Sequence, residues 1–232
     1  QKTKLHALWI TPLRALSKEI YKATSQVSVD LDLDYSIELR TGDTSIAQRK
    51  KQRSHPPQAL ITTPESIHLL LASKGSIDYF KGLEFIVVDE WHELLGSKRG
   101  VLVELALSRL RAINPKLKIW GISATIGNLE EAKEILLGVD NLGLMIKAAL
   151  KKKIKIQTVF PDNLEKFPWA GHLGIRLLDK VIPIIKANNS TLIFTNTRSQ
   201  AEIWYQHIIL NYPEFAGILA IHHGSLSDEV RL

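Results

Sequence analysis

Residues 87–94 read VVDEWHEL, and the apolar run FIVV (85–88) leads into them without a break. A short, continuous apolar run rich in β-branched residues reads as a strand buried on both faces, the pattern of a parallel sheet. This one ends on two adjacent carboxylates, Asp89 and Glu90, and is followed at once by Trp91 and His92. Acidic pairs beside a core are costly unless something cationic shares the site. An Asp at a strand end can hold Mg²⁺ through water, and the next Glu can orient or deprotonate an attacking water. The four residues also read as a surface turn with a capping acid. Zinc chemistry of the H-E-x-x-H kind is excluded, because the position four after His92 is Gly96.

Working outward, β-rich runs alternate with amphipathic stretches along the whole chain. Strand candidates are 5–11, 35–41, 59–63, 84–90 and 118–124, and after a break 155–160, 191–197 and 217–223. Helix signals fall between them. Asn128 with Glu131 caps LEEAKEILL, which Gly138 stops, and Thr197 with Gln200 has capping-box spacing before QAEIWYQHIIL. VLVELALSRLRAI (101–113) is apolar at helical spacing. The alternation predicts an α/β fold with parallel sheets and flanking helices. VDNLGLMIKAALKKK (139–153) has weak periodicity and a charge run, which places a domain junction there: residues 1–146 in one domain, 147–232 in the next.

Composition sets the outer limits. The 232 residues are 45% hydrophobic, enough for a core, and contain no cysteine, so disulfides and thiolate metal sites are excluded. No apolar run is long enough for a membrane span and the start lacks a signal peptide's pattern, so a cytoplasmic protein with no membrane partner is expected. Net charge is +6, with basic clusters RKKQR (49–53) and KKKIK (151–155). Such clusters fit a polyanion partner, or simply a solvated face.

In open parallel sheets ligands bind beyond the carboxyl ends of the strands. Polar clusters follow five successive strand candidates: TPLR (11–14), RTGDT (40–44), TTPES (62–66), DEWH (89–92) and SAT (123–125). With TLIFTNTRSQAE (191–202) and HHGSLS (222–227), this ordered set resembles superfamily 2 DExH-box helicases over nearly the whole chain. DEWHELLGSKRG, FPWAGHLG and FTNTRSQAEIWYQ are similar to the large helicase-related (Lhr) group, above all its ligase-associated bacterial branch.

The resemblance implies RecA-like sheets: most of one lobe in 1–146, without its phosphate-loop part, and the first part of a second in 147–232. It implies ATP and Mg²⁺ as cofactors, with Asp89 holding the ion through water and Glu90 as general base. His92 would relay nucleotide state to Ser123, Ala124 and Thr125, while Trp91 packs beneath the turn. A nucleic-acid strand would be tracked by Thr11, Pro12, Arg14, Thr41, Gly42, Asp43, Thr63, Pro64 and Glu65. Asn196, Thr197, Arg198, His223, Gly224 and Ser225 would hold the next nucleotides; of His222 and His223, one packs and the other meets phosphate. The implied partner is single-stranded DNA, or a DNA duplex or hybrid, with an ATP-dependent DNA ligase and other repair proteins nearby in the nucleoid.

The family's phosphate loop needs G-x-x-x-x-G-K-[ST], and no Gly-Lys dipeptide occurs here. The expectation is therefore a middle fragment of a DNA helicase or translocase, inactive alone. A truncation that only binds nucleic acid or regulates is the alternative. An in-frame phosphate loop upstream separates the two.

Overall fold

The computed structural model describes residues 3–124, 126–139, 141, 143–148, 153–162 and 174–223. The chain divides into two compact units, Gln1–Ala148 and Ala149–Leu232.

In the first unit the five strand candidates become β1 (Ala7–Ile10), β2 (Ile37–Arg40), β3 (Ala59–Thr62), β4 (Phe85–Val88) and β5 (Lys118–Gly121). All pair in parallel, in the order β2-β3-β1-β4-β5. Parallel neighbours require crossovers. These are supplied by α1 (Arg14–Asp30), α2 (Ile46–Ser54), α3 (Pro64–Leu71) with α4 (Ser76–Phe80), and α5 (Trp91–Leu94) with α6 (Lys98–Ile113). Helix α7 (Leu129–Leu137) follows β5, capped by the Asn128 side chain, which accepts from Glu131 N, and ended at Gly138 (φ +88°), as its sequence signals predict.

Register explains the core. Leu8 lies between Leu60 and Ile86, and Ile10 between Thr62 and Val88, so alternate residues of three central strands share one face. These side chains are buried with Ile67 and Leu70 of α3 and with Val103, Leu107 and Leu110 of α6. Gly100 permits the tight start of α6: a Cβ there would stand 2.1 Å from the Leu94 carbonyl oxygen. β5 differs from the central strands, with Trp120 61% exposed although it packs edge-on against Phe85.

The second unit holds α8 (Leu178–Lys186) and α9 (Arg198–Asn211), packed through Leu178, Ile182, Ile208 and Phe215. Thr197 caps α9 by accepting from Gln200 N, as its spacing predicts. The strands expected at 155–160, 191–197 and 217–223 do not form ladders among the described residues. A strand exists only through its neighbours' hydrogen bonds. Without them these apolar runs lie open, Ile156 at 91% exposed and Phe194 at 89%. Among the described residues no helix is long and apolar enough to cross a membrane.

Candidate functional site

The carboxyl edge of the first unit's sheet collects the polar turns. At its centre the two carboxylates of DEWH are sent into different environments. Asp89 continues the strand, its N–H donating to Ile10 O, and is 8% exposed. Its Oδ1 accepts the Glu90 N–H at 2.9 Å and its Oδ2 accepts Trp9 Nε1–H at 3.3 Å. Glu90 then turns into the left-handed region (φ +48°, ψ +45°), rare for a residue with a Cβ. That turn starts α5 and leaves the Glu90 side chain 41% exposed.

Trp91 packs, as expected: it is 2% exposed, and its Nε1–H donates to Ala132 O of α7 at 2.9 Å. Its backbone N–H donates to Ile122 O, and Ile122 N–H to Val88 O. The DEWH turn is thus laced to the SAT turn by backbone bonds. His92 completes the link, its Nδ1 lying 3.1 Å from Ala124 N and 3.3 Å from Ser123 Oγ. An N–H aimed at Nδ1 requires that nitrogen to carry a lone pair, leaving the ring proton on Nε2, 3.6 Å from Glu93 Oε1. Glu90 Oε2 is also 3.3 Å from Nδ1, so a single imidazole nitrogen touches both the candidate base and the SAT turn. Thr125 lies outside the described residues.

Mg²⁺ is bound by oxygens, commonly through one or two carboxylates plus substrate phosphates, with waters retained. Asp89 fits that donor set. Each of its oxygens accepts one hydrogen bond and keeps lone-pair capacity, and the group stands at a strand's carboxyl end. Among the described residues no three His, Cys, Asp or Glu side chains form a cluster suited to a fully protein-bound metal.

The candidate strand-tracking loops are brought to the same edge, but their hydroxyls face inward. Thr11, Thr41 and Thr63 are 0%, 2% and 3% exposed. Thr11 Oγ1 donates to Leu13 O, Thr41 Oγ1 accepts Asp43 N–H, and Thr63 Oγ1 donates to Ser66 Oγ. Pro12 and Pro64 are buried as well. These five shape the loops, while Arg14, Gly42, Asp43 and Glu65 are the exposed members. Spacing alone cannot show this, because a threonine side chain bonds the backbone as readily as a ligand.

Three residues given no individual role by the sequence hold the edge together. Arg99 makes a bidentate pair with Glu65 and also donates to Pro12 O, clasping TTPES to TPLR. Its hydrogen bonding holds the Glu65 carboxyl below the usual carboxylate range. Arg49 donates to Thr41 O at 3.1 Å and Gly42 O at 2.8 Å, supporting RTGDT from below. Trp9 steadies Asp89. Arg99 stands in the quoted run DEWHELLGSKRG, which was its available signal. Arg14 pairs with Asp43 at 2.7 Å, both side chains more than half exposed.

In the second unit Gln200 Oε1 accepts the Asn196 N–H, and Thr195 Oγ1 donates to Thr197 O, so the TNTR turn is shaped locally around the start of α9, with Arg198 its first residue. His223 is the packed histidine, 9% exposed and 3.3 Å from Glu202, whereas His222 is exposed. Gly224 and Ser225 lie outside the described residues, as does nearly all of FPWAGHLG.

Comparison with known proteins follows the same lines. The DEAD/DEAH box helicase family model matches residues 1–133. The ATP-dependent helicase Lhr-Core protein 2 of Thermococcus barophilus is 34% identical over 99% of this chain. The Lhr helicase/uracil glycosylase of Escherichia coli is 29% identical over 84%. The chain spans 28% and 14% of those two relatives' lengths. Among solved structures, Mycobacterium smegmatis helicase Lhr bound to single-stranded DNA and AMP-PNP superposes with a TM-score of 0.71 at 27% identity, covering 99% of this chain and 32% of that one.

Proposed function

The chain belongs to the DEAD/DEAH box helicase family, and from that premise we propose that it is part of the motor of an ATP-dependent DNA helicase or translocase. The motor travels on single-stranded DNA and separates duplexes. Residues 1–146 are assigned to the first RecA-like lobe and 147–232 to the beginning of the second, a boundary that falls beside the division between the two compact units. The observation that carries the reading is the placement of His92, whose Nδ1 touches Glu90, Ser123 and Ala124 together.

In this reading Asp89 would hold Mg²⁺ through water, and the ion bound with ATP would supply charge neutralisation at the phosphates. Glu90, turned outward by its backbone, accepts the proton of the attacking water. Its side chain is 41% exposed against 8% for Asp89, which suits Glu90 to reach the attacking water. His92 senses whether Glu90 is engaged and passes that state to Ser123, Ala124 and Thr125. A neutral hydrogen bond contributes only about 0.5 to 1.5 kcal/mol, too little to build a site but enough to bias lobe closure several-fold. Arg14, with the backbone of the 41–43 and 63–65 loops, meets DNA phosphates without reading sequence. In the second lobe Asn196, Thr197, Arg198 and residues 222–225 continue the track, His222 being the exposed histidine. The similarity to Lhr helicases supports this assignment. A setting in repair, a ligase among the partners and a place in the nucleoid rest on the resemblance in sequence.

The test uses the full-length protein and DNA-stimulated ATP hydrolysis. Glu90→Gln should lower turnover about 10²- to 10⁴-fold, the usual worth of a general base, while single-strand affinity is kept. Turnover that survives the substitution would overturn the assignment of Glu90. Absence of turnover in the wild-type protein would favour the binding-only alternative.

A further inference from the structure

The strand-tracking edge is nearly neutral: Arg14 is matched by Asp43, and Arg99 by Glu65. A strongly cationic surface lies elsewhere in the first unit. A cleft of about 910 Å³ opens between α2 and the segment joining α3 to α4, with Lys4 at its rim. Six cationic side chains line it, Lys4, Arg40, Arg49, Lys50, Arg53 and Lys74, against the single carboxylate of Asp78. Among the described residues none of the six makes an ion pair. Burial holds the Arg40 guanidinium below its ordinary range, Tyr79 opposing the shift and Arg49 and Arg53 adding to it.

Two polar atoms beneath the lining are also unpaired. Arg49 Nε and the Tyr79 hydroxyl are the buried side-chain polar atoms without a hydrogen-bond partner among the described residues, and both belong to residues of this lining. Burial pushes the Tyr79 hydroxyl up to about 12, so it keeps its proton and remains a donor. A cleft lined predominantly by one sign of charge concentrates anions. It offers no exposed aromatic face for a base to stack on, Tyr79 being largely buried. The chemistry it suits is therefore phosphate, not base.

The cleft is joined to the tracking edge through Arg49, which lines the cleft and also holds the carbonyls of Thr41 and Gly42. We propose that this cleft is a second phosphodiester-binding surface, taking the stretch of nucleic acid that continues past the 41–44 loop. The proposal rests on the nucleic-acid reading above. It also gives a role to the RKKQR cluster: α2 turns Arg49, Lys50 and Arg53 to the cleft, while Lys51 is not part of its lining.

The side chains of Lys4, Lys50 and Lys74 make no hydrogen bond among the described residues, so changing all three to Gln removes charge without dismantling a wall. Binding of the full-length protein to fluorescent single strands of about 6 and about 20 nucleotides would be followed by anisotropy across a salt series. For the longer strand the triple variant should bind about tenfold more weakly. Its log-affinity against log-salt slope should flatten by about 2, near 0.7 for each lost phosphate contact. The shorter strand should be unaffected. Arg14→Gln, at the tracking edge, should weaken both lengths.

If Arg14→Gln weakens both but the triple variant matches wild type with the longer strand, the cleft proposal falls and the edge reading stands. If only the triple variant has an effect, the edge reading falls and the cleft remains. A labelled glutamate-rich peptide supplies the competing ligand. Loss of its binding in the triple variant, with strand binding intact, would make the cleft a protein-docking site and overturn the proposal.

Discussion

Replacing Glu90 by Gly, and separately by Gln, isolates the backbone strain at the centre of the candidate site. Glu90 sits at φ +48° and ψ +45°, where a Cβ crowds the following carbonyl at about 1 to 2 kcal/mol. Glycine avoids that crowding but loses more chain entropy on folding, about 0.5 to 1 kcal/mol. The net gain expected for Glu90→Gly over Glu90→Gln is therefore centred at about 0.75 kcal/mol, in a range of about 0 to 1.5. Both variants lose the Glu90 carboxylate, and with it that side of the Glu90–His92 contact, 3.3 Å long with side chains 41% and 24% exposed. The Glu90 N–H to Asp89 bond survives in both, because it is a backbone donor. Urea unfolding at neutral pH should show a higher midpoint for the Gly variant at unchanged slope. Calorimetry should place its transition roughly 1 to 4 °C higher. Both variants should lack hydrolysis in the full-length protein. A Gly variant no more stable than the Gln variant would refute the claim that strain is held at this residue to aim its carboxylate.

Trp91→Phe should lower stability by about 1 to 3 kcal/mol in urea unfolding, because the Ala132 carbonyl loses its indole donor and the smaller ring underfills a buried site. Arg99→Gln should weaken single-strand binding several-fold with an unchanged circular dichroism spectrum, since it unclasps TPLR from TTPES. The same pair sets a pH dependence. Glu65 is held low in the fold, so its stabilisation is present above the unfolded carboxylate pKa of about 4.3 and is lost as pH falls through the lower folded value. The stability gap between wild type and Arg99→Gln should accordingly close in urea melts taken at progressively more acid pH. With both side chains substantially exposed, that gap should stay within about 1 kcal/mol. Ser123→Ala in the full-length protein should leave ATP hydrolysis largely intact and sharply reduce strand separation, and parallel collapse of both would place Ser123 in the chemistry instead.

Local chemistry made much of this protein legible from its sequence. Five strands were marked by short apolar runs and two helix starts by Asn128 and Thr197, because strand burial and helix capping are settled within a few residues. The position of Asp89 and Glu90 at a strand end, the packing of Trp91 and the nearness of Ser123 to His92 were likewise readable. Partner choice was not, because it depends on residues far apart in the chain. Arg99 reaches Glu65 and Pro12 across 34 and 87 positions, and no window of sequence contains that clasp. The inward turn of the Thr11, Thr41 and Thr63 hydroxyls depended on which backbone groups the folded loops left within reach. Apolar runs at 191–197 and 217–223 read as strands equally well, yet a strand needs a neighbour, and that neighbour is a property of the assembled sheet. The cationic cleft shows the same divide: RKKQR was visible as a cluster, but Lys4 and Lys74 joined it only when the fold brought three distant segments to one wall.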